Sequence, residues 1–315
     1  MFTVNAAGAV AIFLGAFILS GFLVWLSIAI AYRYEVFDRP DGLRKLQTRP
    51  IPKLGGVAVS IAFSATALAV VFRGENSFVR NEALGILLPA VAAAVVGYVD
   101  DKRGLSAALR LALQAAIGLA VAWSLSNSVH ITGSTIVDCT LMVLWIMTLI
   151  NGVNLLDNSD GLAGATVLIS SLAASVVAGI SGQYLIAALG CALAGTAAGF
   201  LLLNWNPARV YLGDAGAYFL GTMLAALTLQ LKVTYANEPW TLAVPLLLAS
   251  LPLIDTGFVV VSRTRNGIHP FTAGRDHLSH RLQRSGLSVG SSVLSLAVIL
   301  LVTGLAAIAI TAVNS

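Results

Sequence analysis

A chain of 315 residues that is 58% hydrophobic and only 10% charged, with a mean hydropathy of +0.89, has too little charge to cover a water-facing surface. Soluble domains run at about 45–50% apolar and about 25% charged residues, so a soluble globule, a disordered chain and a nucleic-acid binder are all excluded, and the formal charge of +4 reports orientation in a membrane. The two cysteines, Cys139 and Cys191, both lie in apolar stretches and suggest neither a disulfide framework nor a zinc site.

A helix needs about 20 mainly apolar residues to cross the hydrocarbon layer. In chain order, ten stretches qualify as predicted spans: 4–32, 55–72, 83–99, 106–125, 136–153, 161–180, 184–203, 215–231, 241–262 and 288–312. The first has no basic segment ahead of it and is too long for a signal-peptide core, so it is expected to be retained. Gly- and Ala-rich segments such as 90–97 and 187–199 suit close helix packing in lipid. None of the runs shows the dyad alternation of a membrane β-barrel. The expected fold is therefore all-α: one integral membrane domain over residues 1–315, a polytopic bundle of about ten helices.

The connecting segments divide sharply by charge. Arg33, Arg39, Arg44, Lys45, Arg49, Lys53, Lys102, Arg103, Arg209, Arg263, Arg265, Arg275, Arg281 and Arg284 fall on one side, and only Arg73, Arg80 and Lys232 on the other, with Arg110 just inside a helix. The richly basic side is expected to be cytoplasmic, and an even number of spans then puts both termini outside. Asp100, Asp101, Asp157, Asp160, Asp214 and Asp276 gather on that same side. The rule for basic residues does not explain carboxylates, and burying one at mid-membrane costs about 2.5–3.5 kcal/mol on insertion scales. Polar chemistry is thus expected at the cytoplasmic face.

Four segments carry it. Gly97-Tyr98-Val99-Asp100-Asp101-Lys102-Arg103 ends a span with adjacent carboxylates, which read either as a cation or substrate site or as a solvated cap paired with Lys102 and Arg103. Asn151, Asn154 and Asp157 recur every three residues in 151–164 and would line one polar stripe of a continuing helix, offering oxygens to Mg²⁺ or hydrogen bonds to a nucleotide. Asp160 in the same run also suits the N-cap of the next helix. In 204–216, Pro207 breaks a helix and Gly213 frees the backbone to present Asp214, as a metal ligand or a cap. The last basic segment holds His269, Arg275, Asp276, His277, His280, Arg281 and Arg284. It lacks a clear third zinc ligand and reads as a pyrophosphate grip or as a loop attracted to anionic headgroups. Segment 38–56 permits the same two readings, and Asp255, inside the ninth span, pairs with a neighbour in a role left open.

In order and spacing, GYVDD (97–101), NGVNLLDNSDGLAG (151–164), NPARVYLGDAG (206–216) and GRDHLSHRL (274–282), with the early DRPD…RK…P…P..GG pattern at 38–56, resemble the polyprenyl-phosphate N-acetylhexosamine-1-phosphate transferases, glycosyltransferase family 4, of WecA and MraY type. The resemblance runs from about residue 33 to 284. It implies an enzyme of the inner (plasma) membrane, crossing it many times, that takes a UDP-N-acetylhexosamine and a polyprenyl phosphate such as undecaprenyl phosphate. The products are a polyprenyl-pyrophosphoryl sugar and UMP, and the step initiates a cell-envelope glycan. Mg²⁺ is the implied cofactor, with Mn²⁺ an alternative, and a homodimer is a further expectation. By motif, Asp214 resembles the principal Mg²⁺ ligand with Asn154 a second. Asp100 and Asp101 resemble the catalytic pair, and Asp157 and Asp160, with Asn151 on the same stripe, the polar wall of the nucleotide site. Asn204 and Tyr211 match uracil-side positions, and Lys45, His277, His280 and Arg281 would hold phosphates or sugar.

The chain departs from the family pattern in three places. His277-Leu278-Ser279-His280-Arg281-Leu282 is sparser in histidine than the muramoyl-pentapeptide branch, which favours the WecA-like branch. Gln47 stands where relatives often carry His, and no third Asp follows the pair at 100–101. The phospho-N-acetylmuramoyl-pentapeptide transferase reading stays as an alternative. A membrane transporter is the competitor from another class, disfavoured by carboxylates at one face and by the lack of an internal repeat. An inactive scaffold is disfavoured by the full set of motif carboxylates.

Overall fold

The structure, a computed structural model, describes residues 5–38, 49–72, 77–231, 240–269, 272 and 274–314. Its helices are α1 (Ala6–Tyr34), α2 (Gly55–Val71), α3 (Ser77–Arg103), α4 (Ala107–Leu125), α5 (Thr135–Leu156), α6 (Leu162–Ile180), α7 (Tyr184–Asn204), α8 (Gly213–Leu229), α9 (Trp240–Leu248), α10 (Ser250–Arg265), α11 (Leu278–Arg284) and α12 (Val289–Val313). Each of the ten apolar stretches is helical over most of its described residues, which makes this an all-α membrane bundle. Seven of the described helices are long and apolar enough to cross a bilayer, or eight if the bent pair α9–α10 forms one crossing.

Length separates the remaining two. α2 and α8 have 17 residues each, about 26 Å at 1.5 Å per residue. α8 is nonetheless the centre of the bundle, packed chiefly against α3 and α5 and buried along almost its whole length. Lipid would meet the outer helices instead. On α1, Val10, Leu14, Ile18, Phe22 and Trp25 form an exposed stripe at three- and four-residue spacing. Such a stripe is an aggregation hazard in water and the ordinary outer surface of a protein in hydrocarbon.

The stretch predicted as one span at 241–262 is divided. α9 stops at Leu248 and α10 leaves it at 76°. Pro252 stands in the first turn of α10, where a missing N–H is tolerated. A straight helix through this point would need that same N–H to bond to the carbonyl of Leu248. A second feature absent from the all-α expectation is a two-residue antiparallel ladder, β1 (Phe37–Asp38) with β2 (Ile51–Pro52), pairing Phe37 with Pro52 and Asp38 with Ile51.

That ladder fixes the start of α2 beside the start of α8. The Tyr211 N–H donates to Pro52 O at 2.8 Å, the Gly55 N–H to Tyr211 O at 3.1 Å and the Gly56 N–H to Leu212 O at 3.0 Å. The C-terminal ends of α3, α5 and α7 and the N-terminal ends of α2 and α8 meet at the same end of the bundle, joined by the contacts that follow.

Candidate active site

α3 reaches the site because Gly97 lets it lie directly on the first turn of α8. A Cβ there would stand 2.2 Å from the Asp214 carbonyl oxygen and 2.4 Å from its carbon. One turn later the paired carboxylates diverge. Asp101 Oδ1 meets the Lys53 ammonium at 2.7 Å, and its Oδ2 accepts the Ala215 N–H at 3.3 Å. Asp100 is buried, accepting the Leu105 N–H and the Tyr218 hydroxyl, each at 2.8 Å, with the Arg110 guanidinium 3.6 Å away. The local pairing with Lys102 and Arg103 is not what forms: Lys102 lies over the Tyr98 ring, and the cationic partners come from the segment before α2 and from α4.

The polar stripe at the end of α5 splits between two neighbours. Asn151 turns to α4, donating to Gln114 Oε1 at 2.7 Å and to its own helix at Met147 O. Asn154 donates to Asp214 Oδ1 at 3.2 Å, and Asp157, just past the helix end, accepts the Gly213 N–H at 3.2 Å. Gly213 adopts φ +66°, the backbone freedom expected of it. Asp160 does not cap α6, whose N-cap is Gly161. Its Oδ2 instead accepts from Asn206 Nδ2 at 2.8 Å and the Ala208 N–H at 3.0 Å, because the turn after α7 folds back onto it. Asn204, buried at the end of α7, accepts the Gly161 N–H and donates to Val210 O, both at 2.9 Å. The motifs at 151–164 and 204–216 are thereby one cross-braced unit.

The histidine motif forms α11 and its N-cap. His277 is buried, with Nδ1 2.7 Å from Asp255 Oδ2 in α10, and its ring lies 6.0 Å from that of His280, edge to face. Ser279 donates to Asn158 Oδ1 at 2.6 Å and Gln283 Nε2 to Ser159 Oγ at 3.2 Å, docking α11 on the α5–α6 turn. Arg281 is not brought to the same place: it stacks on Phe258, 4.4 Å from the ring centre, and donates to Ser262 on the outer side of α10. Lys45 lies outside the described residues.

These elements enclose an open cavity of about 780 Å³. Asn154, Asp157, Asp160, Asn204, Tyr211 and Asp214 line it, as do Lys53, Arg49, Arg275 and His280. Its electrostatics follow from burial and like charge. Burial, then the neighbouring Asp214 and Asp101 charges, pushes Asp157 well above the ordinary carboxylate range. Burial alone would lower the Lys53 pKa, but the charge and hydrogen bond of Asp101, backed by Asp214 and Asp38, hold it above the usual lysine value. Burial, then the adjacent His277, lowers His280 and leaves it less basic than a free imidazole. Burial and Asp160 raise Tyr211, which stays a phenol.

Among the described residues no three acidic, histidine or cysteine side chains converge into a self-sufficient metal cage. The arrangement is an open rim of hard oxygens. That still matches Mg²⁺, which keeps waters and is commonly held by one or two carboxylates plus substrate phosphates. The sequence held Arg49, Lys53 and Arg275 only within basic segments that read either as a pyrophosphate grip or as loops attracted to headgroups, and it did not single out Asn158, Ser159, Asn206 or Gln283. Of the latter four, Asn206, beside Pro207, carried a positional hint.

Residues 83–232 match the family described as glycosyl transferase family 4. A probable undecaprenyl-phosphate N-acetylglucosaminyl 1-phosphate transferase of Bacillus subtilis is 29% identical over 276 residues, covering 84% of this chain and 74% of that protein. A decaprenyl-phosphate N-acetylglucosaminephosphotransferase of Mycolicibacterium smegmatis is 30% identical over 304 residues, 86% of this chain and 74% of that one. The chain belongs to glycosyl transferase family 4. A phospho-N-acetylmuramoyl-pentapeptide-transferase of Streptococcus pyogenes, 29% identical over 276 residues with 76% and 80% coverage, shows that both branches of the resemblance are represented among its relatives. Within this family 4 transferase, the matched region holds the cavity carboxylates Asp157, Asp160 and Asp214, whereas Asp38, Lys53 and α11 reach it from outside that region.

Proposed function

We propose that this enzyme transfers an N-acetylhexosamine-1-phosphate from a UDP-sugar to a polyprenyl phosphate at the cytoplasmic face of the plasma membrane. An oxygen of the lipid phosphate bonds to the sugar-bearing phosphorus, the pyrophosphate bond breaks, and UMP leaves. The observation that carries this reading is the meeting of Asn154, Asp157, Asp214 and Lys53 at one polar cavity at an end of an otherwise apolar bundle, with Asp101 at the end of α3 bound to Lys53 and to the start of α8. A transporter would place such groups near the midplane between half-helices.

The lipid phosphate has its second pKa near 6, so at neutral pH it is largely dianionic and already a nucleophile. The obstacle is anion meeting anion. Lys53, Arg49 and Arg275 supply positive charge around the diphosphate. Asp101, held by Lys53 and the start of α8, is placed to orient the acceptor or take its residual proton. Asp100, tied to Leu105, Tyr218 and Arg110, keeps α3 seated on α8. Tyr211, with the brace formed by Asp160 and Asn204, shapes the nucleoside end. Asp214, with Asn154 and Asp157 beside it, would hold Mg²⁺, whose chemistry when bound is to neutralise the diphosphate and the departing UMP. Asn154 points its amide N–H at Asp214 here, which leaves its oxygen for a cation or a nucleotide. The sparse histidine motif favours an N-acetylglucosamine-type donor. All ten apolar segments serve as crossings in this reading, with both termini outside.

The deciding assay mixes purified protein, polyprenyl phosphate and a panel of UDP-sugars, UDP-N-acetylmuramoyl-pentapeptide among them, and follows UMP release and lipid-linked sugar. The expected result is release that needs Mg²⁺ and is lost by about 100-fold or more in Asp214→Asn, the scale of removing a transition-state charge stabiliser. No UMP from any donor would leave the transporter reading standing, and near-normal turnover in Asp214→Asn would remove the metal assignment.

A further inference from the structure

Asp255 is a carboxylate in the first turns of an apolar helix, 1% exposed, in a position where burial of an acid is costly unless it is paired. Both of its oxygens are used, and both by residues at the start of α11, more than twenty positions along the chain. Oδ2 meets His277 Nδ1 at 2.7 Å and Oδ1 accepts the Leu278 N–H at 2.8 Å. Asp255 thus supplies the cap that α11 lacks from its own N-cap side chain, and it takes one ring nitrogen of a histidine that is itself 4% exposed.

The contacts run onward to the cavity. His277 packs edge-to-face on His280, which lines the cavity together with Gln283. Ser279 and Gln283, on the same short helix, grip Asn158 and Ser159 next to Asp157. Just before His277, Asp276 is clasped by Arg263 of α10 through two bonds of 2.7 and 2.8 Å. The charged and titratable groups placed around His277 are therefore Asp255 from α10, Asp276 from the connecting loop with its partner Arg263, and His280 from α11.

The geometry points to Asp255 as a positioning residue of the active site. It fixes the ring and tautomer of His277 and seats α11, so that His280 and Gln283 stand at the cavity wall. With Nδ1–H donating to the carboxylate, the lone pair of a neutral His277 ring lies on Nε2. This inference rests on the proposed reading only in taking the cavity as the nucleotide-sugar site.

The test uses the full chain in nanodiscs, with ¹⁵N-labelled histidine, as wild type, Asp255→Asn, Asp255→Ala and His277→Gln. The wild type should show one imidazole in the Nδ1–H form, assigned by its disappearance in His277→Gln. Asp255→Asn should move that resonance toward the Nε2–H form and shift the His280 signals. UMP and UDP-N-acetylglucosamine titrations should show binding about 10-fold weaker in Asp255→Ala, the lower end of what losing an orienting carboxylate behind a histidine costs in other sites. Asp255→Asn should fall between, because its amide oxygen still accepts the Leu278 N–H. Asp255→Asn is the decisive variant if the alanine protein does not fold. An unmoved His277 resonance, or unmoved His280 signals, in Asp255→Asn overturns the proposal, as does unchanged nucleotide affinity. A wild type that binds no uridine nucleotide removes the functional reading instead, and the positioning role is then decided by the two ring signals alone.

Discussion

Asp157 sits in an environment that suits chemistry better than folding. Burial and the charges of Asp214 and Asp101 raise its pKa well above the ordinary carboxylate value, so the ionised form is the strained one. The sign follows from proton binding. Between the unfolded carboxylate pKa, about 3.9, and the higher folded value, the native state holds more protons than the unfolded chain, and stability falls as pH rises through that window. In metal-free protein, Asp157→Asn should remove this slope and raise the melting temperature at neutral pH. The expected gain is about 2–4 °C for each kcal/mol relieved, since an asparagine oxygen still accepts the Gly213 N–H. Transfer activity should drop in the same variant, a stability–function trade familiar at active sites. Scanning fluorimetry with chelator across pH 4–8 checks it, and a variant that melts below wild type at pH 7 would show that the carboxylate charge is well accommodated after all.

Between elements, the site is only as good as the approach of α3 to α8. Gly97 lies directly against the first turn of α8, and the atoms that an added methyl group would strike belong to the main chain of Asp214 and Ala215, which cannot swing aside. Gly97→Ala should therefore push apart the two helix ends that carry Asp101 and Asp214. Overpacking of this kind costs about 1–3 kcal/mol, and misplacement by 1 Å or less can cost on the order of 100-fold in rate. The expected outcome is a transfer rate lower by at least about 10-fold with a modest fall in melting temperature. Gly179→Ala, on α6 with nothing within 4 Å of the added methyl, should change neither. Equal rates for Gly97→Ala and wild type would mean that the seam between α3 and α8 is soft. The same seam explains why this part of the site was only half legible in the sequence. That Asp100 and Asp101 end a helix follows from the apolar run before them. That they divide the work, one toward Tyr218 and Arg110 and the other toward Lys53, depends on packing against other segments, Tyr218 lying 118 positions away, for which local pattern carries no information.

Across the molecule, legibility tracks the physics that decides each feature. The positions of the long helices were readable because each is set by an apolar run, and the clustering of the motif carboxylates because each stands near a run's end. The ladder at Phe37–Asp38 and the anchoring of His277 by Asp255 were not, since each is decided by what lies alongside in space; the break between α9 and α10 had only the local mark of Pro252 inside an apolar run. Sidedness depends on neither, only on the partition of charge: fourteen lysines and arginines on one set of connections against three on the other. Positive charge resists translocation, so the end of the bundle bearing Lys53, Asp101 and Asp214 should face the cytoplasm. α4 gives the ruler. Its 19 residues span about 28 Å, close to the roughly 30 Å hydrocarbon thickness, so Arg103 just before it and Asn127 just after it should lie on opposite faces. In a chain freed of Cys139 and Cys191, single cysteines at Ala6, Arg103, Asn127 and Asn266 occupy exposed positions. A membrane-impermeant maleimide added to intact cells should label positions 6 and 127 at once and positions 103 and 266 only after permeabilisation. The reverse pattern would turn the active site outward, where no cytoplasmic UDP-sugar could reach it, and positions 6 and 103 labelling alike would break the alternation on which the ten-crossing arrangement rests.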